Sequence, residues 1–276
     1  MTEFSTQLLL DTGTAQIRDV VCHGECRHKS ASECAGATHL VFPYRGVYVR
    51  HVGRSDAVAE ANQVLFFNQG EEYSVSHPVE GGDASLSIAI AEPLLQELAP
   101  KDQVQGGAVL AFRRPRLRVD PRTQVLVALL RHSLRRGAAE TLEAEALTLT
   151  LARRALGERT AHAAGASQGR QKLVDRAKLI FSSDLARRWT LAEIADEVGV
   201  SPVYLTQVFQ QVEAVPLYRY QLRLRLARAL DLLGQYDDLT TLGMDLGFSS
   251  HSHFTASFRQ AYGRTPAEFQ RSAHLR

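Results

Sequence analysis

Two segments near the C-terminal end of the chain repeat one pattern: a short helix, a glycine, a serine and a second helix that ends on phenylalanine. In the first segment Thr190 is followed three places later by Glu193, which is the spacing of a capping box. Gly199 fits the left-handed residue that ends a helix, and Ser201 followed by Pro202 fits the start of the next one. Because local residues specify each boundary, the segment predicts a helix-turn-helix unit.

The second segment begins about 48 residues later, with Asp238 at the capping position. Gly247 is predicted to make the turn, and Ser249 or Ser250 to begin the second helix. Gly243 has no side chain, so it is predicted to let a neighbouring helix approach closely, although it lowers helix propensity. The repetition predicts a pair of helix-turn-helix units.

The second helix of each unit has an apolar side and a polar side. Leu205, Val208 and Phe209 are predicted to face the core in the first unit, and Phe254 and Phe258 in the second. The alternative for the opposite side is a solvated helix face that binds nothing. The residues predicted to point outward are Val203, Thr206, Gln207, Gln210, His251, Ser252, Thr255 and Ala256.

A nearly continuous helix of about 19 residues is predicted between the units, over residues 216–234. At ~1.5 Å per residue it spans roughly 28 Å. That length is close to one turn of B-DNA, the distance at which two helices enter successive major grooves on one face of the duplex. The spacing therefore favours DNA binding over two unrelated helical bundles.

Residues from about 170 to 272 resemble the DNA-binding domain of the AraC/XylS family of transcription regulators. The sequence departs from the family pattern at Ala214, which replaces the usual glycine, at Pro216, at His253 and at Ala256. The matching residues are Ser201, Leu205, Phe209, Arg225, Leu226, Ala229, Leu232, Leu233, Gly247, Phe248, Phe254, Phe258, Arg259, Gly263, Thr265 and Pro266.

The resemblance implies which outward residues contact DNA. Glutamine can pair bidentately with adenine, and valine can touch a thymine methyl group. Arg259, at the end of its helix, is predicted to bind a phosphate, which positions a protein without specifying sequence. No arginine stands at a base-reading position, so few guanine contacts are expected. The family's contact positions fall on Val203, Thr206, Gln207, His251, Ser252, Thr255 and Ala256.

The length and the charge of the chain limit the number of domains and the kind of partner that we expect. The 276 residues exceed one average domain. Residues 170–276 hold 14 Lys and Arg against 11 Asp and Glu, a small surplus for a DNA-binding protein, so we expect weak binding by one copy and a homodimer. No apolar run is long enough to cross a membrane and residues 1–10 do not resemble a signal peptide, so we expect a cytoplasmic protein.

From residue 8 to about residue 92 the sequence predicts short strands separated by turns, as in a sandwich or small barrel. Two helices are predicted after them, over residues 120–137 and 141–159. The resemblance implies a cupin-like jelly roll and a dimer interface on these helices; the alternative is that they only cover the barrel. The expected fold class is α+β, with a cupin-like β-barrel or jelly roll and an all-α C-terminal domain.

A small, polar stretch separates these two parts and reads as a linker. The predicted division is residues 1–160 for a sensor and dimerisation domain, 161–170 for the linker and 171–276 for the DNA-binding domain.

Three cysteines, Cys22, Cys26 and Cys34, lie close in sequence to His28. Thiolates and imidazoles are ligands that Zn²⁺ selects, and four of them close a tetrahedral site. One hypothesis is therefore a zinc site formed by these four residues. The alternatives are a redox-sensing thiol pair and a set with no common role. An odd number of cysteines in the cytoplasm argues against a disulfide framework.

The function favoured is a DNA-binding transcription regulator, controlled at its N-terminal domain by a small-molecule, metal or redox signal. Its expected partners are double-stranded promoter DNA, an effector, a second copy of the chain and RNA polymerase; zinc is the one cofactor considered. The competing hypothesis is a metal-dependent cupin enzyme with an accessory DNA-binding domain. No His-x-His pattern with a following glutamate accompanies His51 or His77, so we expect no enzymatic activity. A DNA-alkylation repair fusion would need a fourth cysteine, and an effector-free architectural DNA binder would lack an enclosed pocket.

Overall fold

The computed structural model describes residues 4–23, 28–105, 107, 109–157 and 167–273. The chain divides into two compact units, residues 1–161 and 162–276. The first unit is rich in β-strands and the second is helical, so the predicted mixed fold is confirmed at this level.

The N-terminal unit contains two main antiparallel sheets. The larger has six strands, in the spatial order β1 (Phe4–Asp11), β2 (Ala15–Cys22), β9 (Asp83–Ile90), β4 (His39–Arg45), β7 (Gln63–Phe67) and β12 (Arg116–Arg118). The smaller has four, in the order β3 (Glu33–Cys34), β8 (Glu72–Ser76), β5 (Tyr48–Val52) and β6 (Ser55–Ala59). A short separate pair joins β10 (Val104–Gln105) to β11 (Ala111–Phe112).

Alternate residues of the larger sheet face two different cores. In β4, Leu40 and Phe42 pack into the core shared with the helices, whereas Val41 packs with residues of the smaller sheet. Strand β7 repeats this alternation, with Phe66 on the first side and Leu65 on the second. Because side chains alternate with a period of two, a strand covered on both faces is apolar throughout.

The two sheets are not closed into one barrel by any strand pairing within the described residues. The closed barrel that was predicted is therefore not observed, and the cupin-like jelly roll stays a prediction. Side chains fill the space beside the smaller sheet: buried Arg50 forms an ion pair with Glu71 and lies 4.4 Å from the centre of the Phe67 ring.

Three helices complete this unit: α1 (Glu92–Leu98), α2 (Pro121–Arg135) and α3 (Thr141–Leu156). Asp120 caps α2 by accepting a hydrogen bond from the Thr123 backbone at 2.8 Å, and it binds Arg154 of α3 at 3.0 Å. Although burial raises it, these hydrogen bonds hold the pKa of Asp120 below its ordinary value. This carboxylate therefore joins the two predicted helices. At the start of α3, the side chain of Leu142 is 76% exposed.

The C-terminal unit contains α4 (Gln168–Ser183), α5 (Leu191–Val198), α6 (Pro202–Glu213), α7 (Leu217–Leu232), α8 (Leu239–Asp245), α9 (His251–Tyr262) and α10 (Pro266–Ser272). Helix α4 already begins inside the stretch predicted as a linker. Phe181, Phe209 and Tyr220 form one buried aromatic cluster, and Phe254 and Phe258 belong to another. None of the helices described here combines the length and apolar character needed to span a bilayer.

Candidate nucleic-acid interface

The first helix-turn-helix unit consists of α5 and α6. The Thr190 hydroxyl accepts from the Glu193 backbone at 3.2 Å, and the Thr190 backbone donates to the Glu193 carboxylate at 2.7 Å, which confirms the capping box. This backbone hydrogen bond, with others from Thr190 and Arg187, lowers the pKa of Glu193 to about 2. Gly199 has a φ of 75° and ends α5. Ser201 caps α6 by accepting from a backbone N–H at 3.2 Å. Local chemistry thus defines both ends of the turn.

Helix α6 buries one side and exposes the other, as predicted. Leu205, Val208 and Phe209 are buried. Val203 is 67% exposed, and Thr206 and Gln207 are exposed beside it. The Thr206 hydroxyl donates to the carbonyl of Pro202 at 2.9 Å, so the lone pairs of its oxygen remain available to a donor on a ligand.

The second unit consists of α8 and α9. Asp238 caps α8 by accepting from the backbone of Thr240 at 2.9 Å and of Thr241 at 3.0 Å. The side-chain hydrogen bond from Thr241, with the two backbone bonds, lowers the pKa of Asp238 to about 2. The Ser250 hydroxyl caps α9 by accepting a hydrogen bond from the backbone N–H of His253 at 3.1 Å.

Gly243 provides the close approach that its position predicts. A β-carbon built at Gly243 would lie 3.1 Å from the side chain of Phe254, so the two helices of the second unit pack more tightly than a side chain there would easily permit. Phe254 is thereby fixed in the core, and the opposite side of α9 is turned outward.

A shallow concave surface covers that outward side of α9. Arg259 lies exposed on it, as do the small side chains of Ser252 and Ala256. The His251 ring lies between two hydroxyls, 3.5 Å from Thr240 and 3.3 Å from Thr255, so its orientation is defined by neighbours on α8 and α9. The residues that line the surface are His251, Ser252, Thr255, Ala256, Arg259, Gln260 and Thr265.

Gln260 and Thr265 were not among the predicted site residues. Gln260 lies four places after Ala256 and therefore on the same side of the helix, a signal that the sequence contained. Thr265 caps α10. It reaches the surface only because the chain turns back at Gly263, and no helical period of α9 could reveal that.

Arg225 of α7 connects the two helix-turn-helix units. Its guanidinium donates to the carbonyl of Gly247, in the turn of the second unit, at 3.0 Å. It also donates to the carbonyls of three consecutive residues that precede the first unit, at 2.8 to 3.2 Å: Leu185, Ala186 and Arg187. A β-carbon at Gly247 would lie 2.1 Å from the carbonyl oxygen of Ala186, so the same loop also packs directly against this turn.

Helix α7 is shorter than predicted. Pro216 is its N-cap and Leu233 its C-cap, which leaves 16 helical residues and a span of roughly 24 Å.

A buried ion pair fixes the end of α6: Lys178 Nζ of α4 lies 2.6 Å from Glu213 Oε1, and both side chains are fully buried. The pairing of Lys178 with Glu213 could not be predicted from local sequence.

Two further positions qualify the sequence analysis. Ala214, where the family pattern has glycine, adopts a φ of 52°, and it is the one described non-glycine residue with a left-handed backbone. Trp189 lies half-buried at the surface, with the Arg187 guanidinium 3.9 Å from its ring centre. Its indole N–H donates to the carbonyl of Asp184 at 3.0 Å, which holds the ring in the loop.

The cysteine set in the N-terminal unit is only partly described. Cys22 ends β2, Cys34 lies exposed in β3, and His28 is exposed. Cys26 lies outside the described residues, so the four-residue zinc site stays a prediction. Among the described residues, Cys22 does not form a group of three with His28 and Cys34 but comes together with His77 and Asp83.

Known proteins resemble the C-terminal unit. A family model described as a helix-turn-helix domain matches residues 194–272. The transcriptional regulator ArgR of Pseudomonas aeruginosa is 37% identical over 95 residues, which are 34% of this chain and 29% of that protein. The transcriptional regulator GadX of Escherichia coli is 34% identical over 92 residues, 33% of each chain. This chain thus spans about a third of the length of these curated relatives.

A solved structure also matches this region. It is an AraC-type transcriptional regulator from Chromobacterium violaceum, 30% identical, which covers 39% of this chain and 96% of that chain with a TM-score of 0.37. The crystal structure of ToxT from Vibrio cholerae covers 100% of this chain and 98% of its own, at 11% identity and a TM-score of 0.36.

Proposed function

Because this chain belongs to the AraC-type family of helix-turn-helix transcription regulators, we propose that it reads a promoter through α6 and α9 together. The observation that carries this proposal is the pair of serine-capped helices with exposed outer sides, whose units are joined by Arg225. A rigid connection between two reading helices favours recognition of two adjacent major grooves on one face of the duplex.

Each outward residue has a chemical role in this proposal. Gln207 pairs with adenine and Val203 contacts a thymine methyl group. On α9, His251 and Ser252 approach base edges, while Thr255 and Ala256 leave room for the backbone of the duplex. Arg259 binds a phosphate and so contributes affinity without sequence preference. Since no arginine faces a base, the preferred sites are expected to be rich in A·T pairs.

The N-terminal unit is proposed to control this binding, as the cupin-like sensor of the protein. A cavity of about 290 Å³ in this unit supports a small effector; it lies beside the β1–β2 turn and α1, and Thr12, Thr14, Gln69 and Glu92 are among its polar lining residues. Effector binding would shift the balance between conformations that differ in their affinity for promoter DNA.

A second copy of the chain completes the proposal. Residues 170–276 carry only a small positive surplus, which favours binding by two copies over one. We place the contact between copies on α2 and α3, as the family resemblance implies, and Leu142 of α3, which is 76% exposed, is an apolar side chain that such a contact would cover. Analytical ultracentrifugation of Leu142→Glu, compared with the wild type, tests this contact: we expect a shift toward monomer.

The DNA-binding proposal is tested by selection of random duplexes with the purified full chain, followed by affinity measurements on the selected site. His251→Ala is expected to relax preference at one part of the site. Arg259→Ala is expected to weaken binding to all DNA sequences alike and to reduce the slope of log affinity against log salt concentration by about one. Arg122→Ala, which removes the same charge from an exposed position on α2, serves as the control. Failure to enrich any sequence, or a change of sequence preference in Arg259→Ala, contradicts the assignment.

A further inference from the structure

Three potential metal ligands from separate segments meet in the N-terminal unit. Cys22 is the last residue of β2, His77 follows β8, and Asp83 is the first residue of β9. One ligand atom from each lies within 4.8 Å of the other two. We propose that Cys22, His77 and Asp83 bind a divalent metal of the zinc class.

The sheet itself places two of these ligands side by side. Cys22 and Asp83 are direct partners in the antiparallel pairing of β2 with β9. Directly opposite residues project from the same face of a sheet with their β-carbons about 5 Å apart. Their side chains therefore reach the same point without any change in the backbone.

Tight backbone packing surrounds this point. Gly82 has a φ of 66°, and a β-carbon there would lie 2.2 Å from the carbonyl oxygen of Cys22. A β-carbon at Gly46 would lie 2.0 Å from the carbonyl oxygen of Gly82. Since neither position has room for a side chain, the end of β2, the residues before Asp83 and the turn at Gly46 are packed closely together before any ligand arrives.

Two of the three ligands form a buried ion pair. His77 Nε2 lies 2.7 Å from Asp83 Oδ2. His77 and Asp83 are both buried, whereas Cys22 is only partly so, which leaves an approach from solvent. A divalent cation would replace this direct contact, with the imidazole nitrogen and a carboxylate oxygen as two of its ligands.

The ligand types select the class of metal. Sulfur, nitrogen and carboxylate oxygen together suit Zn²⁺, a borderline-soft cation, better than Mg²⁺ or Ca²⁺, which prefer oxygen alone. Three protein ligands fill three corners of a tetrahedron, and water takes the fourth. Binding requires the thiolate, so the Cys22 thiol releases its proton to solvent as the metal binds.

This site differs from the four-residue set that the cysteine spacing suggests, since it shares only Cys22 with that set. It also goes beyond the proposed DNA-binding function and does not depend on it, because metal content is measured without DNA.

The test uses the full chain, stripped with a chelator and titrated with Zn²⁺, then with Co²⁺ as a spectroscopic substitute. We expect one equivalent of zinc per chain and a thiolate-to-cobalt charge-transfer band. Cys22→Ser, His77→Gln and Asp83→Asn should each weaken zinc binding at least about 100-fold, and Cys22→Ser should abolish the band. Cys34→Ser and His28→Gln are matched controls that should change neither.

Circular dichroism of each variant separates loss of a ligand from loss of the fold. If a variant at buried His77 unfolds, the band in Cys22→Ser and Cys34→Ser still decides the question. Less than about a third of an equivalent of zinc in the folded wild type overturns the proposal. Loss of binding in Cys34→Ser or His28→Gln, with full binding in His77→Gln, also overturns it, because it would assign the metal to the other set.

Discussion

The guanidinium of Arg225 donates a hydrogen bond to the carbonyl of Gly247 at 3.0 Å, and so fastens the connecting helix to the turn of the second helix-turn-helix unit. The same side chain holds the loop that precedes the first unit. Arg225 therefore helps to set the geometry of α6 and α9 through contacts within the protein. Positive charge in a DNA-binding domain can serve its architecture as well as its ligand.

Removal of this guanidinium should weaken the C-terminal unit. Arg225→Ala leaves backbone carbonyls at four residues without this donor, so we expect the free energy of unfolding to fall by about 2–4 kcal/mol. Arg225→Lys keeps the positive charge, but an ammonium group lacks the planar set of donors with which the guanidinium reaches several carbonyls. It should therefore recover only part of the lost stability. Urea denaturation of the full chain measures both. Arg219→Ala, at an exposed position of the same helix, is the control and should change stability by less than about 0.5 kcal/mol. Equal stability of Arg225→Ala and the wild type would refute this role.

The two turn glycines should differ sharply in their tolerance of alanine. Both have left-handed backbones, with φ of 75° at Gly199 and 80° at Gly247. Nothing lies within 4 Å of a β-carbon at Gly199, so Gly199→Ala should lose only the backbone term, about 1–2 kcal/mol. At Gly247 the β-carbon would meet the Ala186 carbonyl, and we expect a loss of about 3–5 kcal/mol. Thermal denaturation of the pair is the measurement; equal losses would mean that the loop does not pack on the second turn.

The buried pair of Lys178 and Glu213 should behave as one unit. Lys178→Met leaves a carboxylate buried without its cation, so we expect a loss of about 3–5 kcal/mol. Adding Glu213→Leu removes the orphaned charge and should restore most of that stability. A double-mutant cycle in urea measures the coupling. If the two single losses simply add, the residues are not paired in the folded protein.

The cap of α5 should make stability depend on pH in the acid range. Folding lowers the pKa of Glu193 from 4.5 to about 2, since its carboxylate accepts hydrogen bonds that its protonated form cannot. The stability it contributes is therefore fully present above about pH 4.5 and is lost as the pH falls toward 2. Urea midpoints between these values should decline less steeply in Glu193→Gln than in the wild type. Glu197→Gln, exposed on the same helix, should keep the wild-type slope.

Local rules predicted the helix-turn-helix units well. Thr190, Gly199 and Ser201 each act within one turn of their own position, so the sequence specifies their conformation directly. The outward side of α6 followed from helical spacing for the same reason. That these outward residues contact DNA stays a prediction, since such a contact depends on a partner.

The long-range contacts could not be predicted in this way. Arg225 meets carbonyls about 40 residues away, and neither composition nor period identifies such a partner. Cys22 meets Asp83 because of a strand register that the spacing of the cysteines does not contain. Spacing in the sequence groups Cys22 with Cys26, His28 and Cys34, whereas the fold brings it together with His77 and Asp83.

Joint recognition by α6 and α9 is tested most directly on the selected promoter site with about five base pairs inserted between the parts proposed to contact each helix. This insertion rotates the two parts by roughly half a turn of the duplex. Because α7 and Arg225 hold the two helices in a fixed arrangement, we expect affinity to fall at least about 100-fold, and single substitutions at Gln207 and His251 no longer to act together. Unchanged affinity for the lengthened site would contradict it.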